Sequence, residues 1–272
     1  MPELPEVETI AQGLREAVGR RIVGAEVRWA RTIAAPDPTV FVQRLVGRRL
    51  LGVGRRGKWL VIRLEGGDHL LIHLGMSGRL VLEPEGVGEE RYARVLLMLD
   101  DGRRVRFSDP RKFGRAVLTV DPEEVLEGLG PEPLGEAFTP ERLREMLAGR
   151  RARLKPLLLN QRFLAGLGNI YTDEALWRAR VHPLRRSDTL SGEEVLRLHR
   201  AIREVLAEAI DRRGTTLEDR GYVGADGRPG TFNRELAVYG RVGRPCPRCG
   251  TPIERIVVGG RGTHLCPRCQ QA

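Results

Sequence analysis

The sequence predicts an α+β chain of several domains. An N-terminal antiparallel β-sandwich with a leading helix precedes a helical domain and a C-terminal β-hairpin that carries cysteines. Three observations lead there. Seven short runs rich in β-branched and large apolar residues follow one another between residues 49 and 120, with no helical stretch between them. The apolar period turns helical between 139 and 210. All four cysteines fall in the last 27 residues, as two C-x2-C pairs. Domain boundaries are expected at 1–130, 131–237 and 238–272.

The leading helix shows first. Val7, Ile10, Ala11, Leu14 and Val18 repeat at helical spacing. Pro5 suits a first turn, Glu6 and Glu8 suit the positive end of the dipole, and Gly19 suits the stop. Strands are expected at 49–53, 59–64, 70–74, 79–82, 95–99, 104–107 and 116–120. Turns such as Glu65-Gly66-Gly67-Asp68 and Asp100-Asp101-Gly102 separate them. A Pro/Gly-rich connector spans 128–135. Thr139-Pro140 starts a helix, and Ser191 with Glu194 forms a capping box ahead of a long amphipathic helix reaching about Ile210. Residues 214–236 are glycine-rich and polar, so a mobile loop is expected there.

A formal charge of +10 and a pI near 10.2 favour a polyanionic partner only slightly over a basic chain with no nucleic-acid role. Only three of the 46 cationic residues are lysine: Lys58, Lys112 and Lys155. Each is either a chance survivor or a place where a compact, titratable ammonium is needed. The chain start lacks the basic and apolar regions of a signal peptide, and no apolar run reaches membrane-spanning length. A cytoplasmic protein is expected.

Cys246, Cys249, Cys266 and Cys269 have the spacing of a tetrahedral zinc site. Four thiolates leave no position for a catalytic water, so one structural zinc ion is expected. Between the pairs, strand-like residues flank Gly259-Gly260-Arg261-Gly262, a β-hairpin with Arg261 near its tip. Arg261 suits a phosphate or groove contact, and equally a solvated side chain.

The opening Met1-Pro2-Glu3-Leu4-Pro5-Glu6 is unusual. Removing Met1 exposes Pro2 as a secondary amine. An α-amino group titrates near pH 8, and a following helix N-terminus disfavours its protonated form. Such an amine attacks a sugar C1′ to give an iminium directly. Glu3 and Glu6 fit acid–base and hydrogen-bonding roles there, or simply a helix start. Gly52-Val-Gly54-Arg-Arg-Gly57 matches G-x-G-x-x-G, but a strand follows it, which excludes a dinucleotide site and leaves Lys58 on a basic turn. Met76 in His73-Leu-Gly-Met76-Ser-Gly78, and Arg111 with Phe113 in Asp109-Pro-Arg111-Lys112-Phe113-Gly114, could together fill a gap in a base stack. Asn169 sits at the N-cap expected for the next helix, after a glycine turn suited to phosphate binding, with Asp173 and Glu174 in its first turn.

Together these motifs resemble the formamidopyrimidine-DNA glycosylase family of the Fpg/Nei superfamily, over essentially the whole chain. The resemblance implies a bifunctional enzyme that excises oxidised purines from damaged double-stranded DNA and cuts the strand by β,δ-elimination. It implies Pro2 as Schiff-base nucleophile and Glu3 as proton donor, with Glu6 and Lys155 in support. Lys58 and Arg261 are implied as proton donors for the two eliminations, and Met76, Arg111 and Phe113 as the void-filling set. It further implies DNA contacts at His73, Tyr92, Arg150 and Asn169, although Tyr92 stands where a histidine is expected. The turn at 166–176 resembles a helix–two-turn–helix element, and 215–225 the loop that closes over an extruded base. The expected partner is DNA, met by a monomer, with no membrane and no nucleotide cofactor. An oxidised-pyrimidine enzyme of the same fold and a non-enzymatic zinc-ribbon binder are the competing readings.

Overall fold

The computed structural model describes residues 2–84, 86–87, 91–217 and 221–271. They form two compact units, Met1–Glu127 with Arg212–Asn233, and Gly128–Asp211 with Arg234–Ala272.

The first unit opens with helix α1 (Leu4–Leu14), whose start is a capping box between Glu3 and Glu6, with Pro5 in its first turn. Leu4, Val7, Ile10, Ala11 and Leu14 are its buried face. There follow β1 (Ile22–Val27), β2 (Ile33–Ala35), helix α2 (Pro38–Leu45), β3 (Leu50–Arg56), β4 (Trp59–Leu64), β5 (His69–His73), β6 (Arg79–Pro84), β7 (Ala93–Leu99), β8 (Arg103–Ser108), β9 (Arg115–Thr119) and the short α3 (Glu123–Leu126). The strands make two sheets, ordered β1-β7-β8-β6 and β2-β9-β5-β4-β3. Every pair in them is antiparallel except β2 with β9. Alternate residues face the shared core: Leu60, Ile62, Leu70 and Ile72 from one sheet, Leu80, Leu97, Val105 and Phe107 from the other.

The seven expected strands are β3 to β9. Elements β1, β2 and α2 are additions to that expectation. Asp37-Pro38 is the available signal for α2: Asp37 Oδ1 accepts the Thr39 N–H at 2.9 Å and Pro38 takes the first turn.

The described residues of 212–233 belong to this unit. Tyr222 and Ala225 lie in the sandwich core. The Ala225 carbonyl accepts the Leu82 N–H at 2.8 Å, and a Cβ on Gly13 would meet Ala225 Cβ at 2.8 Å. Within the stretch 214–236 expected as a glycine-rich, polar loop, Tyr222 and Ala225 are thus two buried apolar anchors. Residues 218–220 of the expected capping loop, like Met1, lie outside the described residues.

The second unit holds α4 (Pro140–Leu147), α5 (Leu154–Leu159), α6 (Asn169–Ala179), α7 (Gly192–Asp211), β10 (Glu254–Val258) and β11 (Arg261–Leu265). Thr139 Oγ1 caps α4, accepting the Arg142 N–H at 3.1 Å. Ser191 and Glu194 cap α7 reciprocally at 3.2 and 2.8 Å. The cysteine module shares this unit. Trp177 of α6 donates its indole N–H to Cys246 Sγ at 3.4 Å. Buried Glu174 accepts the N–H groups of Ala237, Val238 and Tyr239 at 2.9, 3.0 and 2.9 Å, tying the chain that enters the module to α6. Among the described residues no helix is long and apolar enough to cross a membrane.

His73 ends β5 opposite Trp59, with ring centroids 5.0 Å apart. Burial, and then the Lys58 charge, lower its pKa to about 4. The unfolded chain therefore binds more protons between about pH 6.5 and 4, and folded stability falls as pH drops through that window. The shift is worth about 3 kcal/mol at most. Urea denaturation of His73→Gln should show a shallower loss of stability between pH 7 and 4.5 than the parent. An unchanged slope would assign the loss to carboxylates elsewhere.

Candidate active site

Pro2 and Glu3 precede α1 and are buried. Glu3 donates its N–H to Glu6 Oε2 at 2.8 Å, and the Glu3 carboxylate accepts the N–H of Glu6 in return. Glu6 Oε1 accepts the Thr215 N–H at 2.7 Å. Gly214 is required beside it: its φ is +77°, and a Cβ there would stand 2.7 Å from Oε1. The Tyr222 hydroxyl donates to the Arg213 carbonyl at 3.0 Å, and burial raises its pKa. Helix-capping roles for Glu3 and Glu6 are thus realised. They also anchor the backbone that follows Pro2 at the N-terminus of α1.

Lys58 lies in the two-residue turn between β3 and β4, with Gly57 at φ +56°. The turn joins strand to strand, without the helix that the dinucleotide glycine pattern requires after it. Lys58 is only 7 % exposed, and its charge reaches His73.

The two loops expected to fill a base stack are adjacent, and buried Asp109 organises them. Its Oδ1 accepts from Ser77 Oγ at 2.5 Å and from the Arg111 N–H at 3.2 Å, and its Oδ2 from the Gly114 N–H at 2.7 Å. A Cβ on Gly75, beside Met76, would fall 2.8 Å from the Phe113 carbonyl carbon. The Arg111 guanidinium lies 5.0 Å from the Phe113 ring centre, and Phe113 is half exposed. The Tyr92 carbonyl accepts the Asp109 N–H at 2.9 Å, which places Tyr92 beside this cluster.

In the second unit Gly168, not Asn169, is the N-cap of α6. Asn169 is the first helical residue, and its Nδ2 donates to the Gly262 carbonyl at 3.0 Å. Asp173 and Glu174 fall past the first turn and are buried. The capping expectation fails because the hairpin offers Asn169 a carbonyl. Lys155 is fully buried, bonded to Asp173 at 2.6 Å and to the same Gly262 carbonyl at 3.1 Å. Arg261, beside Gly262, is exposed. Exposed Arg150 lies 5.7 Å from the Phe163 ring centre.

The Sγ atoms of Cys246, Cys249, Cys266 and Cys269 all lie within 4.8 Å of one another. Tetrahedral Zn–S bonds of about 2.3 Å place sulfurs about 3.8 Å apart, so the four fit one structural zinc ion.

Sequence reasoning missed Asp109, Asp173 and His264. Asp109-Pro110 ahead of a basic pair was a usable turn signal, and Asp173 lies one helical turn after Asn169.

Residues 1–116 match the formamidopyrimidine-DNA glycosylase N-terminal domain, 129–220 its H2TH domain, and 243–272 the zinc finger found in FPG and IleRS. A formamidopyrimidine-DNA glycosylase of Roseiflexus sp. (strain RS-1) is 49 % identical, with all of both chains covered. The MutM (FPG) protein of Thermus thermophilus superposes with a TM-score of 0.90 at 47 % identity, covering 99 % of this chain and 98 % of that one. A Lactococcus lactis FPG mutant in complex with Fapy-dG-containing DNA superposes with a TM-score of 0.93 at 36 % identity, all of both chains covered. The chain belongs to the formamidopyrimidine-DNA glycosylase family.

Proposed function

We propose that this chain is a DNA glycosylase and AP lyase that removes oxidised purines, such as 8-oxoguanine and formamidopyrimidines, from damaged double-stranded DNA. The observation that carries the reading is the chain start: a buried secondary-amine residue beside a buried carboxylate, at a helix N-terminus, in a member of this family. With Met1 removed, the Pro2 nitrogen attacks C1′ as the N-glycosyl bond breaks, and Glu3 supplies a proton. The resulting iminium acidifies C2′. Loss of a C2′ proton expels the 3′ phosphate, and a second elimination expels the 5′ phosphate. Lys58 and Arg261 serve these two steps as proton donors, with Glu6 and Lys155 in support. Met76, Arg111 and Phe113 fill the space an extruded base leaves. Tyr92, His73, Arg150 and Asn169 serve DNA contacts, and the chain acts as a monomer.

Borohydride trapping on duplexes that carry single defined lesions tests this. The expected result is a covalent adduct with 8-oxoguanine and formamidopyrimidine, mapped to Pro2. An adduct formed only with oxidised pyrimidines would reverse the substrate assignment, and none at all would leave a non-catalytic DNA binder. Retaining Met1, or adding any residue before Pro2, should reduce strand cleavage by more than about 1,000-fold, since the secondary amine is lost. Normal cleavage by such a chain would place the nucleophile elsewhere. Chelating the zinc should abolish DNA binding while near-ultraviolet circular dichroism from the first unit persists. Unchanged affinity after verified metal loss would contradict this.

A further inference from the structure

The outer edge of β11 meets side chains of α5 and α6 where a sheet would place another strand. The Gly262 carbonyl accepts from Lys155 Nζ and Asn169 Nδ2. Two residues on, His264 donates its N–H to Asp173 Oδ2 at 2.8 Å, and its Nδ1 lies 3.2 Å from the same oxygen. The other Asp173 oxygen holds Lys155 Nζ at 2.6 Å. Lys155 and Asp173 are both shut off from solvent.

Spacing explains why a helix can do this. Asn169 and Asp173 are four residues apart on one face of α6, about 6 Å along its axis. Gly262 and His264 are two residues apart on one edge of a strand, about 6.8 Å. The helix face therefore meets both strand groups at once, and an edge that would otherwise be buried without partners is satisfied. At the tip, Gly259 and Gly260 both have positive φ and form a two-residue turn, the closure that matches strand twist. A Cβ on Gly259 would stand 3.0 Å from Pro156 Cγ of α5. Arg261 is the first residue of β11, between this seated turn and the clamped Gly262.

We propose that Asp173 is a positioning residue for Arg261. It touches Lys155 and His264 and acts through them, fixing the backbone that presents the exposed guanidinium to the phosphate of a bound strand. The proposal rests on the Schiff-base reading above, in which Arg261 serves the second elimination.

The test compares parent, Asp173→Ala and Asp173→Glu on a duplex carrying 8-oxoguanine. Trapped adduct, β-product and δ-product are measured separately, with zinc content and circular dichroism as folding controls. Displacing a reacting group by about 1 Å costs up to about 100-fold. Asp173→Ala should therefore lower the δ-to-β product ratio by about tenfold or more, with trapping through Pro2 within about threefold of the parent. Asp173→Glu keeps the charge, displaces it by one methylene, and should give an intermediate ratio. An unchanged ratio in folded, zinc-loaded Asp173→Ala would overturn the proposal. So would equal losses of adduct, β-product and δ-product, which indicate a merely structural role. If Asp173→Ala does not fold, Asp173→Glu decides: a shifted ratio supports the proposal and the parent ratio overturns it. A parent chain that traps nothing defeats the Schiff-base reading itself, and the proposal with it.

Discussion

The carboxylate of Glu6 joins the start of the chain to residues more than 200 positions away. One oxygen takes the N–H of Glu3 and the other the N–H of Thr215. Chain termini ordinarily fray unless they are tied down. Here the tie is a buried charge whose two oxygens each accept a backbone donor, an arrangement that offsets the cost of burying it. Without that carboxylate, two buried N–H groups would lose their partners at about 1–3 kcal/mol each. While Met1 precedes it, Pro2 has no N–H to add to this tie. Its position is inherited from Glu3 and Glu6. In the proposed reaction, the acid–base neighbour and the scaffold of the nucleophile are therefore the same few atoms.

Where a residue's role is written in its immediate neighbours, the sequence was sufficient. Helical spacing from Val7 to Leu14, the Ser191–Glu194 box, the Thr139 cap and the paired cysteines each bring their cause with them. The strands from β3 to β9 were legible because each turn between them carries glycine or charge. Roles decided by distant chain were not. Asn169 reads as a cap until the hairpin offers it a carbonyl. Tyr222 and Ala225 read as polar-loop residues until the sandwich core takes them. Asp173 reads as a helix-start acid, and only the edge of β11, some 90 residues later, shows what it holds. Strand β2, with three residues, is too short for any periodicity. Local capping chemistry and tertiary hydrogen bonding draw on the same polar side chains, and a linear reading sees only the first.

The second unit shows how a two-stranded hairpin can be supported from outside its own sheet. Two strands alone are marginal in water. These two are supported at one end by the cysteine cluster and along the edge by α6. A zinc ion would close the base, a helix lines the side, and the tip is left exposed.

The scarcity of lysine has a practical side. Lys58 and Lys155 are buried, and Lys112 alone of the three is exposed, its ammonium 3.6 Å from the centre of the Trp29 ring. The surface of this strongly basic chain is therefore nearly bare of primary amines. Reagents that acylate or crosslink amines have one side chain within easy reach, on the same short loop as Arg111 and Phe113. A probe attached there would report on that loop and on almost nothing else.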